Sequence, residues 1–129
     1  MKITIYMEPV PKGRPRATTR GGRTYVYSPK ATVHAEDHIR EAVLGEKMFW
    51  PAGVAVKMKA TFYRYKPKST PRKVLFPTVK PDLANYFALL CDALEKFIYD
   101  NDSQITDARI LKRYGTPPRI ELEIVQDEE

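Results

Sequence analysis

The chain has a single cysteine, Cys91, so no internal disulfide framework can staple it, and this fits a reducing compartment. No apolar run approaches the roughly 20 residues of a membrane span. The N-terminal MKITIYMEPVP alternates like a strand and lacks the apolar centre of a signal peptide. The expected compartment is the cytoplasm. There is no Walker-type glycine loop, and the pair Gly21-Gly22 reads only as a flexible turn. No serine-histidine-acid triad can be defended from spacing. The two histidines, His34 and His38, lie four apart in HAEDH, but the glutamate is one place late for the zincin pattern. They read as surface residues. Cys91, set among Leu90, Ala93 and Leu94, reads as a buried, inert thiol.

Acid is also missing, and unevenly. From Pro9 to Ala35 there are six basic residues and no Asp or Glu; from Lys47 to Pro81 there are nine, again without an acid. Residues 1–81 hold 17 Lys/Arg against 5 Asp/Glu, a net +12, whereas residues 82–129 hold 5 against 11, a net −6. Like charges gathered this way repel one another unless a polyanion meets them, so nucleic acid is the favoured partner. A solvated basic face is the plainer alternative. What remains is ordinary: 129 residues at 43% hydrophobic suffice for a two-layer core, and residues 1–129 read as one domain.

Periodicity places the elements. Lys2–Met7 puts Ile3, Ile5 and Met7 on one face of a short strand. The proline-rich basic stretch that follows reads as an irregular loop, with a hairpin whose arms include Arg14–Thr18 and Arg23–Tyr27. Ser28-Pro29 predicts a helix N-terminus with Ser28 as cap, and the helix runs from about Lys30 to Leu44, ending near Gly45. Val54–Tyr65 is the clearest strand, with Val54, Val56, Met58, Ala60 and Phe62 facing one way and Lys57, Lys59, Thr61 and Tyr63 the other. Prolines then make Lys66 to Pro81 a second basic loop. Leu83, Phe87, Leu90, Leu94 and Phe97 mark an amphipathic helix from Asp82 to about Phe97. Ile105–Tyr114 and Arg119–Val125 are expected to pair as strands across the GTPP loop. The sum is an α+β fold, a small mixed sheet with two main helices packed on it, in the order β-α-β-α-β-β.

Three carboxylates stand apart from the basic tracts: Asp82 at the threshold of the second helix, and Asp100 and Asp102 on the turn after it. A hard divalent cation such as Mg²⁺ takes one or two carboxylates and completes its shell with water and phosphate oxygens. Phosphodiester hydrolysis gains from such an ion, which activates water and neutralises charge. Cations to bring DNA and carboxylates to hold the metal are what that chemistry needs. Equally, Asp82 is a natural helix cap and Asp100–Asp102 a solvated turn. Spacing alone leaves both readings open.

The stretch KPDLANYFALLCDALEKFIYDNDSQI, with VPKGRPR and TYVYSPK upstream, resembles the RusA family of Holliday junction resolvases over most of the chain. The family signature is K-P-D-x-D-N, then D-A-L, then an acidic pair before S-Q-I. The resemblance implies a RusA-like fold in a bacterial or phage-encoded Mg²⁺-dependent endodeoxyribonuclease, with Mn²⁺ as the alternative ion, acting on branched DNA. It makes Asp82 the first catalytic carboxylate and Asp102 the late one, both metal ligands, with Asp100 helping where Asn101 replaces a common aspartate. Two positions depart from the pattern: Ala84 stands for the second carboxylate of D-x-D, and Ala88 for a frequent lysine. On this reading Lys12, Arg14, Arg16, Arg23, Lys66, Lys68, Arg72, Lys73 and Lys80 contact phosphates, and Tyr25 and Tyr27 pack against sugars or exposed bases. A helix of about 24 Å would separate Asp82 from Asp102, so a homodimer with composite sites is expected, with an unwound helix start that joins them within one chain as the alternative. The rival is a non-catalytic junction- or nucleic-acid-binding module whose aspartates are caps and turns.

Overall fold

A computed structural model describes all 129 residues. Its elements are β1 (Lys2–Ile5), β2 (Arg16–Arg20), β3 (Arg23–Tyr27), α1 (Lys30–Leu44), β4 (Val56–Arg64), α2 (Leu83–Leu94), a single 3-10 turn (Asp102–Gln104), β5 (Ile105–Tyr114) and β6 (Arg119–Gln126). The class is α+β, as read from the sequence, with the hairpin strands added to give the order β-β-β-α-β-α-β-β. No helix is long and apolar enough to cross a membrane.

β4 is the axis of the sheet. Its alternation buries Val56, Met58, Ala60 and Phe62 on one face, each at most 1% exposed, and it is flanked on both edges. The strand order is β1-β6-β4-β5, with β4 parallel to β5 and antiparallel to β6. The expected pairing of β5 with β6 across GTPP is therefore wrong: both strands exist, but β4 lies between them. A row of fully buried side chains wants neighbours on both edges, and the four-residue loop is long enough to cross one strand, about 10 Å. It passes over the end of β4, where the Gly115 amide donates to the Arg64 carbonyl at 3.1 Å. Gly115 lies so close to Tyr63 that a Cβ would fall 2.6 Å from its Cδ1.

Both helices cover the same face of the sheet. Ala35, Ile39 and Val43 of α1 and Tyr86, Leu89, Leu90, Ala93 and Leu94 of α2 join the inward residues of β4 and β6 in one core. Tyr86 stacks on Phe62 with ring centroids 5.5 Å apart. Each large side chain so buried contributes about 1.5–3 kcal/mol relative to exposure. α1 has the bounds read from sequence, but Pro29 occupies the N-cap position and Ser28 lies outside the helix. α2 stops at Leu94, short of the expected Phe97. Glu95 is extended and Lys96 takes a positive φ of 70°, because the Lys96 amide turns to the Tyr99 carbonyl at 2.7 Å. Phe97 is left under the Arg40 guanidinium, 4.9 Å from its ring centre.

The β2–β3 hairpin stands outside this architecture. Its ten residues are all exposed and it pairs with no strand of the larger sheet. Gly21 and Gly22, at φ 56° and 75°, supply the two left-handed residues that a tight two-residue hairpin turn requires. Its base is pinned to both helices: the Lys12 amide donates to Asn85 O and the Gly13 amide to Thr32 Oγ1, each at 3.0 Å.

Candidate functional site

α2 organises two separate carboxylate positions. At its start Asp82 has the N-cap position, φ −71° and ψ 144°, yet its side chain makes no capping hydrogen bond. The carbonyl of Asp82, not its carboxylate, receives the amides of Asn85 and Tyr86. The carboxylate itself is exposed and takes no part in the helix start. Its approach is fixed from the sheet. Arg64 Nη1 donates to Lys80 O at 2.9 Å, and Lys112 Nζ donates to Val79 O and Pro81 O at 2.8 and 2.9 Å. Two strand ends thus clamp the last turn of the basic loop just ahead of Asp82.

At the far end of α2, Asp102 is half-buried beside Asp92, Glu95, Tyr99 and Lys12. Burial pushes its carboxyl above the usual carboxylate range; the nearby Tyr99 hydroxyl works against that, and the negative charges of Glu95 and Asp92 add to it. Its Oδ1 is buried and accepts no hydrogen bond. Lys12 Nζ pairs with Asp92 at 2.7 Å, and this hydrogen-bonded ion pair raises the lysine above its ordinary value. The Glu95 carboxylate accepts the Asp102 amide at 3.3 Å. Burial likewise raises Glu36 on α1, and holds the Cys91 thiol up to about 12, an inert thiol as read from the sequence.

The turn that carries Asp102 is held by Gln104. Its Nε2 donates to the carbonyls of Trp50, Pro51 and Val54 at 2.9–3.2 Å, and its Oε1 accepts the amides of Asp100 and Asn101 at 2.8 and 2.9 Å. Asn101 Oδ1 caps the turn by accepting the Ser103 amide. Asp100 is engaged as well, in an ion pair with Lys96 at 2.9 Å.

The model of the endodeoxyribonuclease RusA family matches residues 7–125. The chain belongs to the RusA family. It is also similar to an uncharacterized protein, YqaN, of Bacillus subtilis (strain 168), with 32% identity over 134 residues, 96% of this chain and 94% of that one. Family membership makes Asp82, Ala84, Ala88 and Asp102 the positions to test against a metal. The buried, unpartnered oxygen of Asp102 is a feature that a cation would satisfy. Its surroundings do not complete a site. Asp92 is taken by Lys12, Glu95 by a backbone amide, and Ala84 offers no oxygen. Asp82 lies at the other end of a 12-residue helix, about 18 Å long. No three His, Cys, Asp or Glu side chains converge to hold a metal ion. The residues of one chain do not fit a Mg²⁺ site.

The basic residues divide in a similar way. Arg14, Arg16, Arg23, Lys68, Arg72, Lys73 and Lys80 are exposed and their side chains make no hydrogen bond or ion pair. Lys12 and Lys66 differ. Lys12 is neutralised by Asp92, and Lys66 Nζ donates to Val74 O at 2.6 Å while lying over the Tyr114 ring. Both serve the fold before any ligand. Sequence reasoning missed the Asp92–Glu95–Asp102 grouping, the clamp of Arg64 and Lys112, the Gln104 hub and the exposed Arg20. One signal for the first was available: Asp92 and Glu95 are three apart, and so would share a face of the helix expected from Asp82 to about Phe97.

Proposed function

We propose that this chain is a structure-selective DNA-binding protein of the RusA endodeoxyribonuclease type, directed to four-way junctions, and that it hydrolyses phosphodiesters slowly or not at all as its sequence stands. The observation that carries this reading is the pairing of unpartnered basic side chains with an uncapping, exposed Asp82 at the end of a clamped basic loop. Cations with no internal partner suit a polyanion. The weakened chemistry rests on Ala84 and Ala88, and on the lack of a converging carboxylate set. Asp82 and Asp102 are the catalytic and metal-binding candidates under this reading, and Asp100, already paired with Lys96, is the weaker one. A two-fold pair of chains with α2 antiparallel to its copy would bring Asp82 of one subunit towards Asp102 of the other, so a homodimer with composite sites belongs to the proposal.

The test is cleavage of a synthetic four-way junction across a titration of Mg²⁺ or Mn²⁺, by the natural sequence and by Ala84→Asp, beside sedimentation of both. Aspartate two residues after Asp82 restores an oxygen ligand at the helix start. The expected result is tight binding with little cutting by the natural chain, and cleavage at least about tenfold faster in the variant, about 1.4 kcal/mol in the barrier. Unchanged cleavage with fold and binding intact would leave the chain a binding module. A monomer at micromolar concentration removes the composite site.

A further inference from the structure

The hairpin sorts its side chains onto two unlike faces. Its register sets Arg16 opposite Tyr27, Thr18 opposite Tyr25 and Arg20 opposite Arg23. Alternation then puts Arg16, Thr18, Arg20, Arg23, Tyr25 and Tyr27 on one face, and Ala17, Thr19, Thr24 and Val26 on the other. The first face has three arginines, none with an internal partner, in a tract without an acid. A two-stranded hairpin alone is marginally stable in water, and this one adds nothing to the core. Its charge calls for an anion, and its aromatics narrow the choice.

Tyr25 and Tyr27 are each 49% exposed. As second neighbours on one strand they are about 6.8 Å apart at a rise of about 3.4 Å per residue, and strand side chains stand roughly perpendicular to the ribbon. That separation is about twice the 3.4 Å spacing of stacked bases. One planar base fits between two rings so placed, with Thr18 small enough on the neighbouring strand to leave the slot open. Arg16 beside Tyr27, and Arg20 and Arg23 at the turn, lie where the flanking phosphates of a splayed strand would run. In continuous duplex the bases are stacked on one another and closed to the slot. At a branch point or an unpaired position they are not.

We infer that the Arg/Tyr face of the hairpin seats an unstacked DNA base between Tyr25 and Tyr27, and that this slot gives the chain its preference for branched over linear DNA. The inference rests on the DNA-binding part of the proposed function and not on hydrolysis. It is tested in EDTA, where cleavage plays no role. Affinity is measured by fluorescence anisotropy for a four-way junction carrying 2-aminopurine at the branch and for a linear duplex of the same sequence. Tyr25→Ala/Tyr27→Ala should lose about tenfold or more on the junction and less than about twofold on the duplex. It should also abolish the 2-aminopurine quenching that the slot predicts for the natural chain. Tyr25→Phe/Tyr27→Phe, which keeps both rings, should stay within about twofold on both DNAs, as should Val26→Thr on the opposite face. Equal losses on junction and duplex, an unchanged alanine pair, or a phenylalanine pair as weak as the alanine pair would each overturn the slot. A chain that binds no DNA overturns the slot and the proposed function together. One that binds and discriminates, but whose Ala84→Asp variant cuts no faster, overturns only the hydrolytic part.

Discussion

Two groups of arginine divide this molecule. Arg40 is fully employed: it faces Glu36 and Asp37 at 3.7 and 3.6 Å, donates to the carbonyls of Ala93 and Asp92, and covers the ring of Phe97. Arg119 is similar, bonded to Glu121 at 2.8 Å and lying 3.9 Å over Tyr63. The arginines of the hairpin and its approach, Arg14, Arg16, Arg20 and Arg23, touch nothing charged and lie exposed. The fold satisfies one set internally and leaves the other bare, and under the proposed function the second set is the one that meets DNA. The contrast is testable because the two sets should answer differently to salt and to mutation.

The largest expected effect is on affinity. If about six of the unpartnered cations neutralise phosphates, log K falls against log salt with a slope near −5, at about −0.9 per phosphate. Junction affinity should then drop about a thousandfold between 50 and 200 mM salt. Replacing Arg14, Arg16, Arg20 and Arg23 with Gln should take about three to four from that slope. Arg40→Gln should leave the slope alone and lower the melting temperature. A slope shallower than about −2 in the natural chain, or a slope that Arg40→Gln changes as much as the hairpin variant, would break the division.

Next comes the acidic turn, the structural opposite of the hairpin. Gln104 is buried and uses both ends of its amide, binding Trp50, Pro51 and Val54 on one side and the amides of Asp100 and Asn101 on the other. Gln104→Ala leaves three carbonyls and two amides to find new partners, and should cost about 2–4 kcal/mol of stability in urea or thermal unfolding. An isosteric Gln104→Glu keeps the acceptor, loses the donors and should cost nearly as much. A loss under about 0.5 kcal/mol, as at an ordinary surface position, would mean that the turn is held by other contacts.

Gln104 also shows what was legible in the sequence. The motif S-Q-I was visible as a family mark, but the glutamine's five hydrogen bonds span about fifty residues of chain, and no local pattern reports them. The strand β4, the bounds of α1 and the glycine turn of the hairpin were readable because each follows from a period or a dihedral preference within a few residues. The insertion of β4 between β5 and β6 was not. It depends on Gly115 passing close over Tyr63, a contact between segments 52 residues apart. The site followed the same rule. Asp82 and Asp102 stood out by spacing and resemblance, whereas the Lys12–Asp92 pair and the clamp of Arg64 and Lys112 exist only once helix, sheet and loop have met.

The smallest expected effect concerns Asp102. Its carboxyl is raised by burial and by the charges of Glu95 and Asp92, so over the window between the ordinary carboxylate value and its own raised value the folded state binds a proton more readily than the unfolded one. Stability from this group is therefore full below the ordinary value and is lost as pH rises through the raised one. At neutral pH the ionised side chain is a net cost to the fold. Asp102→Asn removes the charge with little change of shape. The variant should be more stable at pH 7 by about 0.5–1 kcal/mol, a few degrees in melting temperature. The gain should shrink as pH falls through that raised value, where Asp102 takes up its own proton. Glu36 is raised as well, so the informative quantity is the difference between the two proteins across pH, in which the background cancels. A variant less stable than the natural chain at pH 7 would show that the charge is used internally, placing Asp102 with Arg40. The predicted gain would instead place it with the hairpin arginines, as a charge kept against the preference of the fold for a ligand outside it.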